Sequence, residues 1–152
     1  MDSKIINPFI TAFTEIMPQL GFVEVKRGDI SLKSNTISTK GVAMNIGLVG
    51  DVKGNVIYNI SEENAKKIAS KMMMGAPVEE LNEMSQSALS ELGNMLTANA
   101  STQFSNSGIE TNISTPTLMY GEDFKMRSDT KHYICIEMEA DGLIVEVNVA
   151  VQ

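Results

Sequence analysis

The chain has no tryptophan, one cysteine and one histidine among its 152 residues, and aromatic side chains make up 5% of it. The lone Cys135 forms no intramolecular disulfide, and with His132 as the single imidazole no Cys/His zinc cluster can be assembled. A disulfide scaffold and a zinc module are thereby excluded, and a reducing cytoplasm is the expected compartment. Cations are scarce as well: 12 Lys and Arg against 19 Asp and Glu give a formal net charge of −7. Phosphate-backbone binding draws its affinity from clustered Lys and Arg that displace counterions, so nucleic acid is not an expected partner. No apolar run reaches the roughly 18 residues of a membrane-spanning helix. The opening stretch, MDSKIINPFITAF, lacks an uninterrupted apolar core and a small-residue cleavage site. The expectation is a protein neither secreted nor membrane-spanning. What is present, 43% hydrophobic residues in a chain of this length, suffices for a core within one domain over residues 1–152.

Ile6, Phe9, Ile10, Phe13, Ile16, Met17 and Leu20 recur at intervals of three and four, the period of one buried helical stripe. Asn7 and Pro8 read as its cap and first-turn proline, and Pro18 and Gly21 as its stop. Residues 22–60 turn to Val, Ile, Thr and Gly, with Val42, Met44, Ile46 and Leu48 alternating against Asn45 and Gly47. These are strands, the last two joined in a hairpin at Gly50, Asp51 and Gly54. Ser61 opens a second helix with Glu62 and Glu63 at its positive end, Ala65, Ile68, Ala69 and Met72 on its inner face, and Gly75 as C-cap. A longer helix is predicted over residues 82–104 and strands after Gly108, with the strongest hairpin signal around Asp141-Gly142 in residues 133–151.

Local hairpins, and strands not separated one by one by helices, predict an α/β (α+β) two-layer fold: long helices packed on a largely antiparallel sheet. Residues 56–60 resemble residues 145–149. Two explanations stay open, a pseudo-two-fold internal repeat or chance likeness between β-rich segments. The valine-rich residues 143–151 carry no lysine or proline to guard a sheet edge, so they are expected either at the centre of the sheet or paired with another chain in a homodimer.

At about 100° per residue the long helix places Ala88, Leu89, Leu92, Met95, Leu96, Ala100 and Gln103 on a broad inner face. Opposite, within about 60° of arc, lie Ser87, Glu91 and Asn94. Residues 90–105 contain no Lys or Arg and use Gly93, Asn94, Thr97, Asn99, Ser101 and Thr102 in place of the long polar side chains usual on an exposed helix. Gly93 alone costs about 1 kcal/mol relative to Ala. Two explanations fit: another molecule approaches this face closely, or the helix packs tightly on the second helix of its own chain.

Ser87-x3-Glu91-x2-Asn94, followed after 21 intervening residues by Pro116, resembles the signature of the CheC/CheX/FliY family of chemotaxis phosphatases. There Asp or Ser precedes Glu and Asn on a helix, and a Pro follows some twenty residues on. The start Ile6-Asn7-Pro8-Phe9-Ile10, opening a helix that ends near Gly21, is similar to that of the short CheX branch. The CheC branch carries the Glu/Asn motif twice. In this chain Asn7 stands 87 positions before Asn94, but Lys4 holds the place of Glu91, so the single-site CheX branch fits better.

The resemblance implies a cytoplasmic phosphatase, homodimeric like members of that branch, that hydrolyses the aspartyl phosphate of a CheY-type response regulator and so ends a chemotaxis or two-component signal. An acyl phosphate is already activated, and its hydrolysis needs a water held in line with phosphorus and charge compensation around it. A carboxamide can hold that water through one donor and one acceptor without adding charge, which suits Asn94. By analogy with the family, Glu91 pairs with the lysine that the regulator presents beside its phosphoaspartate, and Pro116 shapes the loop beside the helix. Ser87 either contacts the partner's backbone, caps a local turn or is an ordinary exposed serine. No cofactor or metal site of its own is expected; Mg²⁺ comes with the regulator. The alternative is a non-catalytic module that docks a signalling or flagellar-switch protein, and a third reading is a partner of the receptor deamidase that associates with the CheC branch. His132 beside Lys131 is too isolated for a catalytic triad, Cys135 reads as a packing residue in a strand, and Met72, Met73 and Met74 serve either the core or a soft contact surface.

Overall fold

Helix α1 (Ser3–Gln19) buries Ile6, Phe9, Phe13, Ile16 and Met17, the stripe its spacing predicts. The computed structural model describes residues 3–39 and 41–152, so the first two residues of the opening stretch lie outside it. The helix starts ahead of the expected cap, and Pro8 lies inside it. A proline this close to the N-terminus forfeits few ladder bonds, and its buried ring adds to the core. Pro18 also falls within the last turn, and Gly21, at φ 99°, makes the left-handed exit.

There follow β1 (Val25–Thr39), β2 (Gly41–Gly50), β3 (Gly54–Ser61), α2 (Glu62–Met72), α3 (Glu83–Asn106), β4 (Thr111–Ile113), β5 (Thr117–Tyr120), β6 (Phe124–Ala140) and β7 (Leu143–Val151). The predicted cap of the second helix holds, Ser61 Oγ accepting from Asn64 N at 3.2 Å; Asn82, where the long helix was expected to begin, is its cap, its Oδ1 accepting from Ser85 N at 2.9 Å. Helix α2 is capped at Met73 rather than Gly75; Met74 (φ 60°) and Gly75 (φ 87°) carry the left-handed turn that follows.

The seven strands form one sheet in the order β1-β6-β7-β3-β2, with β4 and β5 one after the other along the outer edge of β2, and every pair is antiparallel. Exchanging α1-β1-β2-β3 for α3-β4/β5-β6-β7 reads this order backwards onto itself. The two segments of similar sequence, in β3 and β7, meet at the middle of that pseudo-two-fold arrangement, Val56 opposite Val149 and Tyr58 opposite Val147. Strand β7 is therefore central, and a homodimer formed by extending the sheet from β7 is ruled out: its missing edge guards reflect partners on both sides. β1 pairs with β6 alone among the described strands.

Alternate residues of the central strands (Val42, Met44, Ile46; Val56, Tyr58, Ile60; Ile134, Ile136; Val145, Val147, Val149) share one core with the three helices. On the opposite face, the far ends of β1 and β6 bend across the sheet. Ile37, Phe124 and Met126 join Ala43, Ile57, Tyr133, Cys135 and Ala150 in a smaller cluster, and Asn59 Nδ2 on β3 donates to Ser38 O at 3.0 Å. The β6–β7 turn is an Asp141–Gly142 pair at φ 50° and 82°, as its sequence predicts. The Asp141 carboxylate accepts from Val23 N at 3.0 Å and Glu24 N at 2.7 Å, which ties the turn to the start of β1. Those two backbone donors hold its carboxyl below the usual range.

Helix α3 lies against β2 and α1. Phe104 meets Phe9 edge-on at 5.7 Å between ring centres, and Glu15 of α1 accepts from Asn99 and Gln103 at 3.3 Å. The buried face of α3 is rotated from the predicted one: Ser85, Gly93, Thr97 and Phe104 are inside, while Ala88, Met95 and Gln103 are half-buried. Gly93 faces the sheet, where a Cβ would come within 3.3 Å of Met44 Sδ and 3.5 Å of Ile46 Cδ1. It is thus neither an opening for another molecule nor a contact with a second helix. Thr97 Oγ1 donates to Gly93 O at 2.8 Å, so Tyr58 Oη donates the 2.9 Å bond to Thr97. Burial pushes the Tyr58 phenol far up, so it stays a donor throughout the accessible pH range. Thr97→Val should therefore cost more than Tyr58→Phe: about 1–3 kcal/mol for a buried hydroxyl left unpaired, against about 1 kcal/mol for one bond lost with its donor. Urea unfolding of the two variants measures the difference.

Candidate functional site

Ser87, Glu91 and Asn94 lie on the face of α3 turned away from the sheet, and the helical spacing brings all three to one stripe. Ser87 and Glu91 are exposed and Asn94 is half-buried. None of the three side chains has a hydrogen-bond or ion-pair partner among the described residues. They line one wall of an open groove of about 980 Å³ whose other wall is Thr115, Pro116 and Leu118.

That second wall comes from an interruption in the edge of the sheet. β4 pairs with β2 through Ile113 opposite Leu48, and β5 resumes with Thr117 opposite Asn45. Residues 114–116 stand opposite two residues of β2, a bulge that bends the chain out of the ladder. Ser114 keeps the bulge attached: its N donates to Gly47 O at 3.0 Å, and its Oγ accepts from Gly47 N at 2.8 Å. Gly47 suits the spot, since a Cβ there would approach Ser114 Oγ to 3.3 Å. Pro116, with no N–H to donate, falls where the ladder has no bond to make. A proline separated from Asn94 by 21 residues thus borders the groove beside Glu91 and Asn94.

The groove also takes in Glu83, Met84, Gln86 and Ser90, none of which sequence reasoning picked out. Met84 is 67% exposed and stands seven residues, or two turns, before Glu91 on the same row of the helix. A large apolar side chain on an otherwise polar stripe was the available signal. Thr115 and Leu118 had no such signal, because only the register of β4 and β5 on β2 brings them near the helix. The short polar residues that suggested an approachable face serve the fold instead: Thr97 bonds Tyr58, Asn99 bonds Glu15, Ser101 Oγ lies 2.6 Å from Thr111 Oγ1, and Thr102 donates to Ala98 O at 3.2 Å.

Among the described residues no Lys, Arg or His lines the groove, and its ionisable groups are Glu83 and Glu91. Among the described residues no cluster of three or more His, Cys, Asp or Glu is placed to hold a metal ion.

The family model described as chemotaxis phosphatase CheX matches residues 42–139. A relative named CheY-P phosphatase CheX, from Thermotoga maritima, is 33% identical over 128 residues, covering 84% of this chain and 83% of its own. This chain belongs to the CheX family. A crystal structure of a complex of CheX, CheY, BeF3 and Mg²⁺ from Borrelia burgdorferi matches it with a TM-score of 0.82 at 29% identity, covering 97% of each chain. A CheC-like superfamily protein from a Shewanella species shares the fold, with a TM-score of 0.89 at 24% identity, over 100% of this chain and 99% of that one. The α+β fold expected from the hairpins and helices is the fold of these proteins. In this CheX-family chain His132 is exposed and does not line the groove, and Cys135 is buried on the opposite face of the sheet. Burial and the nearby Glu146 carboxylate, 3.4 Å from its sulfur, push the Cys135 thiol up to about 12, which leaves it a packing residue. No described helix is long and apolar enough to cross a membrane. Met72 and Met73 are half-buried at the end of α2, while Met74 is 97% exposed.

Proposed function

We propose that this CheX-family chain hydrolyses the aspartyl phosphate of a CheY-type receiver domain, with Asn94 and Glu91 as its working pair. The observation that carries this reading is an amide and a carboxylate side by side on a rigid helix, free of internal partners, in a groove open to a second protein. Asn94 accepts from and donates to a water and holds it in line with phosphorus. The water attacks, the bond between phosphorus and the aspartyl oxygen breaks, and the aspartate leaves as a carboxylate while inorganic phosphate departs. Glu91 forms an ion pair with the lysine that the receiver presents beside its phosphoaspartate and sets the register of the two proteins. Mg²⁺ belongs to the receiver, in keeping with a relative crystallised together with CheY, BeF3 and Mg²⁺.

Pro116 supports the loop that walls the groove, and Ser87, one turn before Glu91, lies at the contact with the receiver. Homodimerisation, which the resemblance implies, has to use a surface other than β7; among the described strands β1 at one end of the sheet and β4 and β5 at the other are paired on a single side. A cytoplasmic location is in keeping with a CheY-type partner. The test is direct: a catalytic amount of the chain is added to an excess of phosphorylated receiver with Mg²⁺. Multiple turnovers of released phosphate are expected. Stoichiometric binding with no release would leave the docking module as the correct reading.

A further inference from the structure

Met84 is one of the few large apolar side chains exposed on this protein, and it stands in the groove that holds Glu91 and Asn94. Single exposed apolar residues are ordinary on soluble proteins. Three observations set this one apart. It lies on the same helical row as Glu91, two turns away, so a partner seated on Glu91 covers it. Leu118, from the facing wall, offers a second apolar surface in the same groove. The turn that carries Met84 is held rigid beneath it: buried Ser85 donates through Oγ to Asn82 O at 3.0 Å and through N to Asn82 Oδ1 at 2.9 Å, and Gln86 Nε2 donates to Leu81 O at 2.7 Å. An anchor presented on a fixed backbone loses less entropy on binding.

The charges around this anchor have one sign. Glu83 adjoins it, exposed Glu79 and Glu80 lie in the segment leading into the helix, and no cation lines the groove among the described residues. We propose that Met84, with Leu118 opposite, is the apolar anchor of the docking surface, and that it seats a receiver face carrying an apolar side chain flanked by lysine or arginine beside the acid pocket. This rests on the receiver reading above and extends it from the reacting pair to the residue that selects the partner. Methionine suits the task, since its flexible thioether adapts to varied apolar shapes.

The experiment measures binding of the cognate CheY-type receiver, loaded with beryllofluoride and Mg²⁺, to the intact chain and to Met84→Ala, Met84→Glu and Met84→Leu, together with steady-state turnover on the phosphorylated receiver. Truncation of an interface anchor typically weakens binding about tenfold, and that is the expectation for Met84→Ala. Met84→Glu adds a desolvated charge among carboxylates and is expected to weaken binding about a hundredfold. Met84→Leu keeps the apolar volume and stays within about twofold. The losses appear in KM rather than in kcat, which a merely structural role does not produce, and thermal unfolding confirms that the variants are folded. Met84→Glu binding like the original chain overturns the anchor and leaves hydrolysis standing. An original chain that binds in a Met84-dependent way yet releases no phosphate supports the anchor and overturns hydrolysis.

Discussion

Asn94→Ala is expected to lower the rate of receiver dephosphorylation by at least about a hundredfold, while affinity for the beryllofluoride-loaded receiver stays within about threefold. The separation follows from the role proposed for the amide. Positioning a nucleophile and stabilising developing charge with one preorganised group is worth about 10²–10³ in rate where it has been removed in other enzymes. The same amide contributes little ground-state binding, because it contacts a water and not the partner's backbone. Asn94→Asp sharpens the test. It keeps the shape, replaces the donor with a negative charge facing the phosphoryl oxygens, and should be no better than alanine. Single-turnover decay of labelled phosphoreceiver, with the chain in excess, isolates the chemical step from docking. Decay by Asn94→Ala at the original rate would end the mechanism.

Glu91→Ala carries the second large effect, and here binding falls together with turnover. An interfacial carboxylate–lysine pair removed on one side leaves the other charge desolvated and alone, a cost of about 2–5 kcal/mol where such pairs are buried on association. At the lower end this is about thirtyfold in affinity. Glu91→Lys sets two ammonium groups against each other and should reduce association further. Pairing that variant with a receiver whose active-site lysine has become glutamate should recover part of the lost affinity, although not the turnover. Titration by fluorescence at two ionic strengths checks the sign, since the ion pair is the component that salt screens. Affinity unchanged in Glu91→Ala would show that the carboxylate has some other role. The two variants thus divide the site, one failing after docking and the other before it.

Much of the fold was legible because its signals are local. The three-and-four spacing from Ile6 to Met17, the Ser61 cap and the Asp141-Gly142 turn each depend on neighbours within a few residues, and each has its predicted place. The same holds for the outward stripe of Ser87, Glu91 and Asn94, which needs only helical geometry. The helix boundaries shifted at Pro8 and Gly75, where the chain tolerates a residue type that more often marks an end. The errors on α3 are of another kind. Gly93, Thr97 and Asn99 looked like the residues of an accessible face, but short and polar side chains serve equally well where a helix lies close to its own sheet or bonds its own neighbours.

From the amino-acid order alone came the helices, the turns, the pairing of an acid with an amide on one side of α3, and the exclusion of metal-cluster and disulfide scaffolds. Tertiary structure alone decided that β7 is central, that Gly93 meets Met44, and that Thr115, Pro116 and Leu118 rise to face Glu91 and Asn94 across a groove in which Met84 stands exposed. The reason is range. A helix face repeats every few residues and can be read along the chain, whereas strand order and register join segments more than a hundred residues apart, such as Val25 and Ala140, and nothing in either segment by itself names its partner.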